Sequence, residues 1–217
     1  MNIVIPIFDR ITALDAIGPY EVLSRLPEAQ VRFVGPRRGE VRTDNGALGL
    51  VADLGIDEID AADLLLVPGG YGERLLEKDP RMVQWLQAND RSTRITASVC
   101  TGALLLAAAG LLRGRRATTH WAMHARLAEF GAIPTAQRVV RDGKYATAAG
   151  VSAGIDLALA LAIELGGEEV AARIQLSIEY DPDPPLASGN AARAPADRRE
   201  AILARVRARD AEMAAGT

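Results

Sequence analysis

The chain has a single cysteine, Cys100, in the segment RITASVCTGALLLAAAGLL, Arg94 to Leu112, where an apolar strand pattern runs into an apolar helical one. Thiol chemistry proceeds through the thiolate, and a helix N-terminus favours that form through its dipole and its unpaired backbone N–H groups. Gly102 permits a tight turn just after the cysteine, and the small Ser98 two residues before it relieves crowding, as glycines do in a Gly-x-Ser-x-Gly nucleophile elbow. A cysteine in apolar surroundings is otherwise a small buried hydrophobe; the order strand, cysteine, glycine, helix favours a nucleophile. Such a nucleophile, adding to a carbon bonded to oxygen or nitrogen, needs donors for the negative charge that develops. Val67-Pro68-Gly69-Gly70-Tyr71-Gly72 follows an apolar run, so its turn is expected at the carboxyl edge of a parallel sheet, near Cys100. The amides of Gly70 and Thr101 are the candidate anion donors, and an ordinary pair of turn glycines is the plainer reading of the same motif.

His120 and His124 are four residues apart, a spacing that places two side chains on one helix face, but the metalloprotease pattern needs glutamate where this chain has Trp121. With one cysteine and no obvious third ligand, no metal is expected. His120 is read as a hydrogen-bonded pocket residue. Glu21 and Tyr71 are further candidates for the pocket border.

Positioning these groups requires strands and helices in alternation. Asn2 to Phe8, Val31 to Val34, Leu64 to Val67 and Ile95 to Val99 are short continuous apolar runs, the pattern of strands covered on both faces. Helical stretches lie between them at Pro19 to Leu26 and Pro80 to Ala88, which implies an α/β fold with a mostly parallel, doubly wound sheet. Glu40 to Val51, centred on Asp44-Asn45-Gly46, reads as an inserted hairpin, and Arg138 to Arg141 with Lys144 to Thr147 as a second one around Asp142-Gly143. Thr101 to Leu112 is apolar on all sides and Ser152 to Leu165 nearly so, as befits helices buried within a domain.

The 217 residues allow one large domain or two small ones, and the pattern continues unbroken to the Pro-, Ala- and Asp-rich stretch Tyr180 to Pro195. One domain is therefore expected over residues 1–190. Residues 191–217 then form a C-terminal helix, charged over Pro195 to Met213 with Ile202, Leu203 and Val206 as a narrow apolar stripe, packed on the domain or on a partner subunit. A hydrophobic share of 49%, a charged share of 24% and a net charge of -3 suit a globular protein without the electrostatic footprint of a nucleic-acid or membrane-surface binder. No apolar run is long enough to span a bilayer. One cysteine precludes an internal disulfide, and the amino terminus enters a strand pattern directly, so a reducing cytoplasm is expected.

Together VPGGYG, SVCTGALLLAAAGLL, GRRATTHW and AGVSAGIDLALAL resemble the ThiJ/PfpI superfamily over nearly the whole chain. FDRITALDAIGPYEVL, Phe8 to Leu23, the Cys100-Thr101 pair and IEYDPDPP, Ile178 to Pro185, look like its isonitrile hydratase branch. The resemblance implies a flavodoxin-like sandwich related to class I glutamine amidotransferases, and a homodimer. It also implies hydration of isonitriles to N-substituted formamides without metal or organic cofactor. The branch's catalytic cysteine, proton-handling aspartate and assisting threonine match Cys100, Asp15 and Thr101. Asp15 has a competing role in a helix capping box begun at Thr12, although Gly18-Pro19 suggests a helix that starts later. Thr101 also suits a plain helix cap. Thr101 replaces the histidine that many superfamily members carry after the cysteine, which removes the usual Cys-His dyad and leaves a Cys-His120 arrangement as the alternative. Two other readings are a glyoxalase-like or redox-sensing thiol protein and a small-molecule sensor. The cysteine motif and TTHW are also similar to sensing domains of AraC-like regulators, but the tail after Pro195 is too short for their helix-turn-helix units.

Overall fold

Apolar runs without alternation form the middle of the sheet, because strands buried on both faces have no side that tolerates polar residues. In the computed structural model, which describes residues 1–59 and 61–215, the strands are β1 (Asn2–Pro6), β2 (Gln30–Gly35), β3 (Gly39–Arg42), β4 (Gly49–Ala52), β5 (Leu54–Gly55), β6 (Leu64–Val67), β7 (Ile95–Val99), β8 (Arg116–Ala117), β9 (Ile133–Pro134), β10 (Val139–Asp142) and β11 (Tyr145–Ala148). Seven of them make one sheet in the order β10-β11-β7-β6-β1-β2-β5. Its pairings are parallel except for the antiparallel β10–β11 hairpin at one edge. Every residue of β6 and β7 is buried, and Ile3, Ile5, Leu64 and Ile95 are fully enclosed.

The helices are α1 (Ala13–Leu23), α2 (Glu73–Leu76), α3 (Pro80–Ser92), α4 (Gly102–Ala108), α5 (His124–Glu129), α6 (Ala153–Gly166), α7 (Glu168–Ser177) and α8 (Ala196–Ala215). Helices flank the sheet, with α1 packed on α6 and α6 on α7. The chain divides into two compact units, Met1–Glu179, which holds the sheet, and Tyr180–Thr217, which holds α8. No helix among the described residues is long and apolar enough to cross a membrane.

Both expected hairpins form, β3–β4 around Asp44-Asn45-Gly46 and β10–β11 around Asp142-Gly143. Two helix boundaries differ from the sequence expectation. α1 starts at Ala13, well before Pro19, which lies inside it. Proline there removes one intrahelical hydrogen bond, and tertiary packing outweighs that loss: α1 lies so close to α6 that a side chain on Gly18 would meet Ile155 at 3.1 Å. The apolar helix after Cys100 is shorter than its hydrophobic run, because the chain leaves α4 at Ala109 and turns through Gly110 at φ +77°.

β1 is flanked by β2 on one side and β6 on the other, so chain connections leave it in opposite directions. The carboxyl edge at such a reversal is where open α/β sheets place their ligands. The turns after β1, β6, β7 and β11 all emerge there, and they carry the residues described next.

Candidate active site

Cys100 follows β7 directly and adopts φ +56°, a left-handed backbone conformation that is strained for a residue with a side chain. Both of its backbone groups are anchored. Its N–H lies 3.1 Å from the Ala148 and Ala149 carbonyls at the end of β11, and its carbonyl accepts from Thr119 Oγ1 at 2.8 Å. The thiol is almost completely buried and faces the N–H groups of Thr101 and Val151 and the carboxyl group of Asp15.

Asp15 lies in the first turn of α1 and is wholly enclosed. Its Oδ2 accepts from the Gly69 N–H at 2.9 Å, whereas Oδ1 has no hydrogen-bond partner among the described residues. Burial pushes its pKa up from 3.8 to about 7, and the charge of Asp44 adds to the rise; the Gly69 N–H and the Cys100 thiol oppose it. Thr12, at the N-cap position, makes no side-chain cap; its hydroxyl reaches Asp44 Oδ2 at 3.3 Å. Asp15 is thus a first-turn helix residue without the reciprocal capping box.

The thiol is likewise pushed well above its ordinary range, first by burial and then by the Asp15 charge, with the Val151 and Thr101 N–H groups acting in the opposite direction. The sequence suggested a thiolate favoured by its helix terminus. The two-turn α4 supplies too little field to offset the loss of water and a neighbouring carboxylate.

The glycine pair after β6 allows the nucleophile turn to come close. A side-chain carbon on Gly69 would lie 2.5 Å from both the nitrogen and Oγ1 of Thr101, and one on Gly102 would collide with the Val67 carbonyl. The Gly70 N–H donates to Thr101 Oγ1 at 2.9 Å, so this amide serves the turn itself. The donors that face the sulfur are those of Thr101 and Val151. Val151 has φ +36°, an uncommon strain for a β-branched residue. Sequence reasoning missed Val151, yet the Ala-Gly-Val-Ser-Ala-Gly stretch after a sheet strand carries the same signal that drew attention to the Gly69-Gly70 turn.

His120 follows the short β8, which pairs with β9 outside the main sheet. Its Cδ2 sits 2.7 Å from where a Gly150 side chain would begin, next to Val151. Nδ1 accepts from the Ala122 N–H at 3.3 Å, which leaves Nε2 as the protonated nitrogen of a neutral ring. Burial and His124 both lower its pKa. Tyr71 is half-buried at the turn into α2, and Glu21 faces solvent, paired with Arg25 at 2.7 Å. Cys100, Asp15, Thr101, Gly69 and Gly70 are therefore brought together, with His120 beside them and Glu21 apart.

This arrangement can add a sulfur to an electrophilic carbon and pass one proton between thiol, carboxyl group and substrate. Over 189 residues the chain is 44% identical to an isonitrile hydratase of Pseudomonas putida, covering 87% of this chain and 82% of that protein. It is 32% identical over 176 residues to an HTH-type transcriptional regulator of Pseudomonas aeruginosa, covering 79% of this chain but only 52% of the regulator. A crystal structure of a ThiJ/PfpI family protein from Pseudomonas syringae superimposes with a TM-score of 0.91 at 36% identity, over 94% of this chain and 85% of that one. Drosophila melanogaster DJ-1beta shares the fold, with a TM-score of 0.76 at 20% identity, over 83% of this chain and 98% of that one. The DJ-1/PfpI family model matches residues 1–164, and the chain belongs to that family.

Proposed function

We propose that this protein is an isonitrile hydratase that converts R–NC and water into R–NH–CHO. The observation that carries the chemistry is the buried contact between Cys100 and Asp15; the substrate class rests on similarity to the Pseudomonas putida enzyme. An isonitrile carbon takes up a nucleophile and a proton at the same atom, and a thiol beside a carboxylate holds one of each. Asp15 accepts the thiol proton as Sγ bonds to the carbon, then delivers it to that carbon to give the thioimidate R–N=CH–S. Asp15, again a carboxylate, takes a proton from water as the water oxygen adds to the carbon and hands that proton to the nitrogen. Collapse of the adduct forms the formamide carbonyl as Asp15 takes the hydroxyl proton and the C–S bond breaks. The thiolate leaves toward the Thr101 and Val151 N–H groups and recovers its proton. Thr101 Oγ1 supports the turn through Gly70, and Gly69 holds Asp15 in place. His120, which lies beside Gly150, and Tyr71 are assigned in this reading to the substrate pocket.

A deeply buried thiol with a raised pKa disfavours the redox-sensing reading, since oxidation follows thiolate character and exposure. The test is formamide production from cyclohexyl isocyanide, with methylglyoxal offered in parallel; consumption of methylglyoxal alone would replace the proposal with a glyoxalase-like one. The active pair holds one proton. Below about pH 7 Asp15 takes up a second, and no base is then left for the thiol. The expected profile therefore loses about tenfold in kcat/KM per pH unit below about 7 and is flat above it until the thiol ionises. A rate independent of pH between 5 and 8 would remove Asp15 as the base.

The proposal includes a cytoplasmic setting, supported by the free thiol, and a homodimer without nucleic-acid or membrane partners. Light scattering at twice the chain mass is the expected result for the dimer, and a monomer would remove it.

A further inference from the structure

Thr119 is fully buried, lies outside the residues used so far for proton transfer, and spends its hydroxyl on one contact, the Cys100 carbonyl at 2.8 Å. In the strained turn this carbonyl lacks a good helical partner, since the Ala103 N–H is 3.5 Å away. The carbonyl belongs to the same planar peptide unit as the Thr101 N–H, and in a trans peptide the two groups point in opposite directions. Holding one end therefore aims the other, and the other end faces Sγ.

The segment that carries this hydroxyl is itself held in place. The Thr118 N–H donates to Thr147 Oγ1 on β11 at 2.8 Å. The His124 ring lies 3.4 Å from Thr118 Oγ1 and hydrogen-bonds the Thr119 backbone. The strand that accepts from the Cys100 N–H thus also fixes the segment that donates to its carbonyl, so both ends of the nucleophile refer to the end of β11.

We propose that Thr119 is a positioning residue for the nucleophile: by gripping the Cys100 carbonyl it turns the Thr101 N–H of the same peptide unit onto Sγ, where the thiolate forms and leaves. This rests on the assignment of Cys100 as nucleophile and extends the catalytic apparatus to the first half of the Thr-Thr-His-Trp motif. Valine matches threonine in shape but leaves the carbonyl without its donor, whereas serine keeps the donor.

The experiment compares Thr119→Val with Thr119→Ser, reading kcat and KM for cyclohexyl isocyanide and, separately, the pH dependence of Cys100 alkylation by iodoacetamide. The valine protein is expected to lose about 10- to 100-fold in kcat, the value of one hydrogen bond made to the reacting group. Its KM is expected to stay within about threefold, and its alkylation midpoint to move up by about one pH unit. Serine restores all three. Thr119→Ala reads in the same direction should the valine protein not accumulate folded. A folded valine or alanine protein with wild-type kcat and an unmoved alkylation profile overturns the proposal, as does a serine protein impaired like the valine one. Alkylation needs no isonitrile, so a failure of the substrate assignment would leave this result intact and separately legible.

Discussion

Cys100→Ala abolishes formamide production, with a loss of at least about 10⁴-fold in kcat, because the proposed reaction runs through a covalent bond from this sulfur to the isonitrile carbon. The substitution removes the sulfur yet keeps the β-carbon, so the strained φ of +56° and the anchoring of the backbone by Ala148, Ala149 and Thr119 remain. The Thr101 and Val151 N–H groups lose their acceptor, which costs about 1–2 kcal/mol of stability rather than the fold. A wild-type circular dichroism spectrum, a cooperative urea transition with its midpoint lowered by about 0.5–1 M, and absent turnover by NMR constitute the expected outcome. Activity within tenfold of wild type would show that the sulfur does not bond to the substrate, and the nucleophile would have to be sought elsewhere.

Asp15→Asn is expected to change activity and stability in opposite directions. Asparagine keeps an oxygen for the Gly69 N–H but can neither accept the thiol proton nor return it to carbon. The loss of general acid–base catalysis corresponds to about 10²- to 10⁴-fold in kcat. Stability follows from the direction of the pKa shift. The folded carboxyl has a pKa of about 7 against an unfolded value of 3.8, so between these values the folded state binds a proton that the unfolded state has released. Wild-type stability therefore falls as pH rises through this window, by up to about 4 kcal/mol at 1.36 kcal/mol per pH unit. The asparagine protein lacks that decline and should be more stable than wild type by roughly 2–4 kcal/mol at pH 8, with the difference vanishing near pH 4. Urea unfolding of both proteins at pH 4, 6 and 8 is the measurement. Parallel stability curves would mean that Asp15 does not hold a buried charge, and its place in the mechanism would go with it.

Both expectations describe a site that trades stability for chemistry. A carboxylate without a counter-charge and two non-glycine residues with positive φ, Cys100 and Val151, converge at one sheet edge. The surrounding sheet, enclosed on both faces, supplies the rigidity that holds them.

Much of this was legible in the amino-acid order because the signals were local. Continuous apolar runs marked β1, β6 and β7 as covered strands; the Asp44-Asn45-Gly46 and Asp142-Gly143 turns marked two hairpins; glycine after Cys100 marked a nucleophile turn. Periodicity and turn chemistry act over a few residues, so they survive without tertiary context. The start of α1 was misplaced by Pro19, whose local penalty is outweighed by packing against α6.

The sequence by itself determined that one cysteine ends a buried strand and begins a buried helix, and family resemblance pointed to Asp15 and Thr101 as its companions. Tertiary structure decided the rest, because parallel strands gather distant turns along one carboxyl edge. Asp15 after β1, Gly69 after β6, Cys100 after β7 and Val151 after β11 meet only through the strand order. Burial at that meeting point, which no local pattern encodes, moves both pKa values upward, and it turns a thiol expected to ionise readily into one that shares a proton with a carboxyl group.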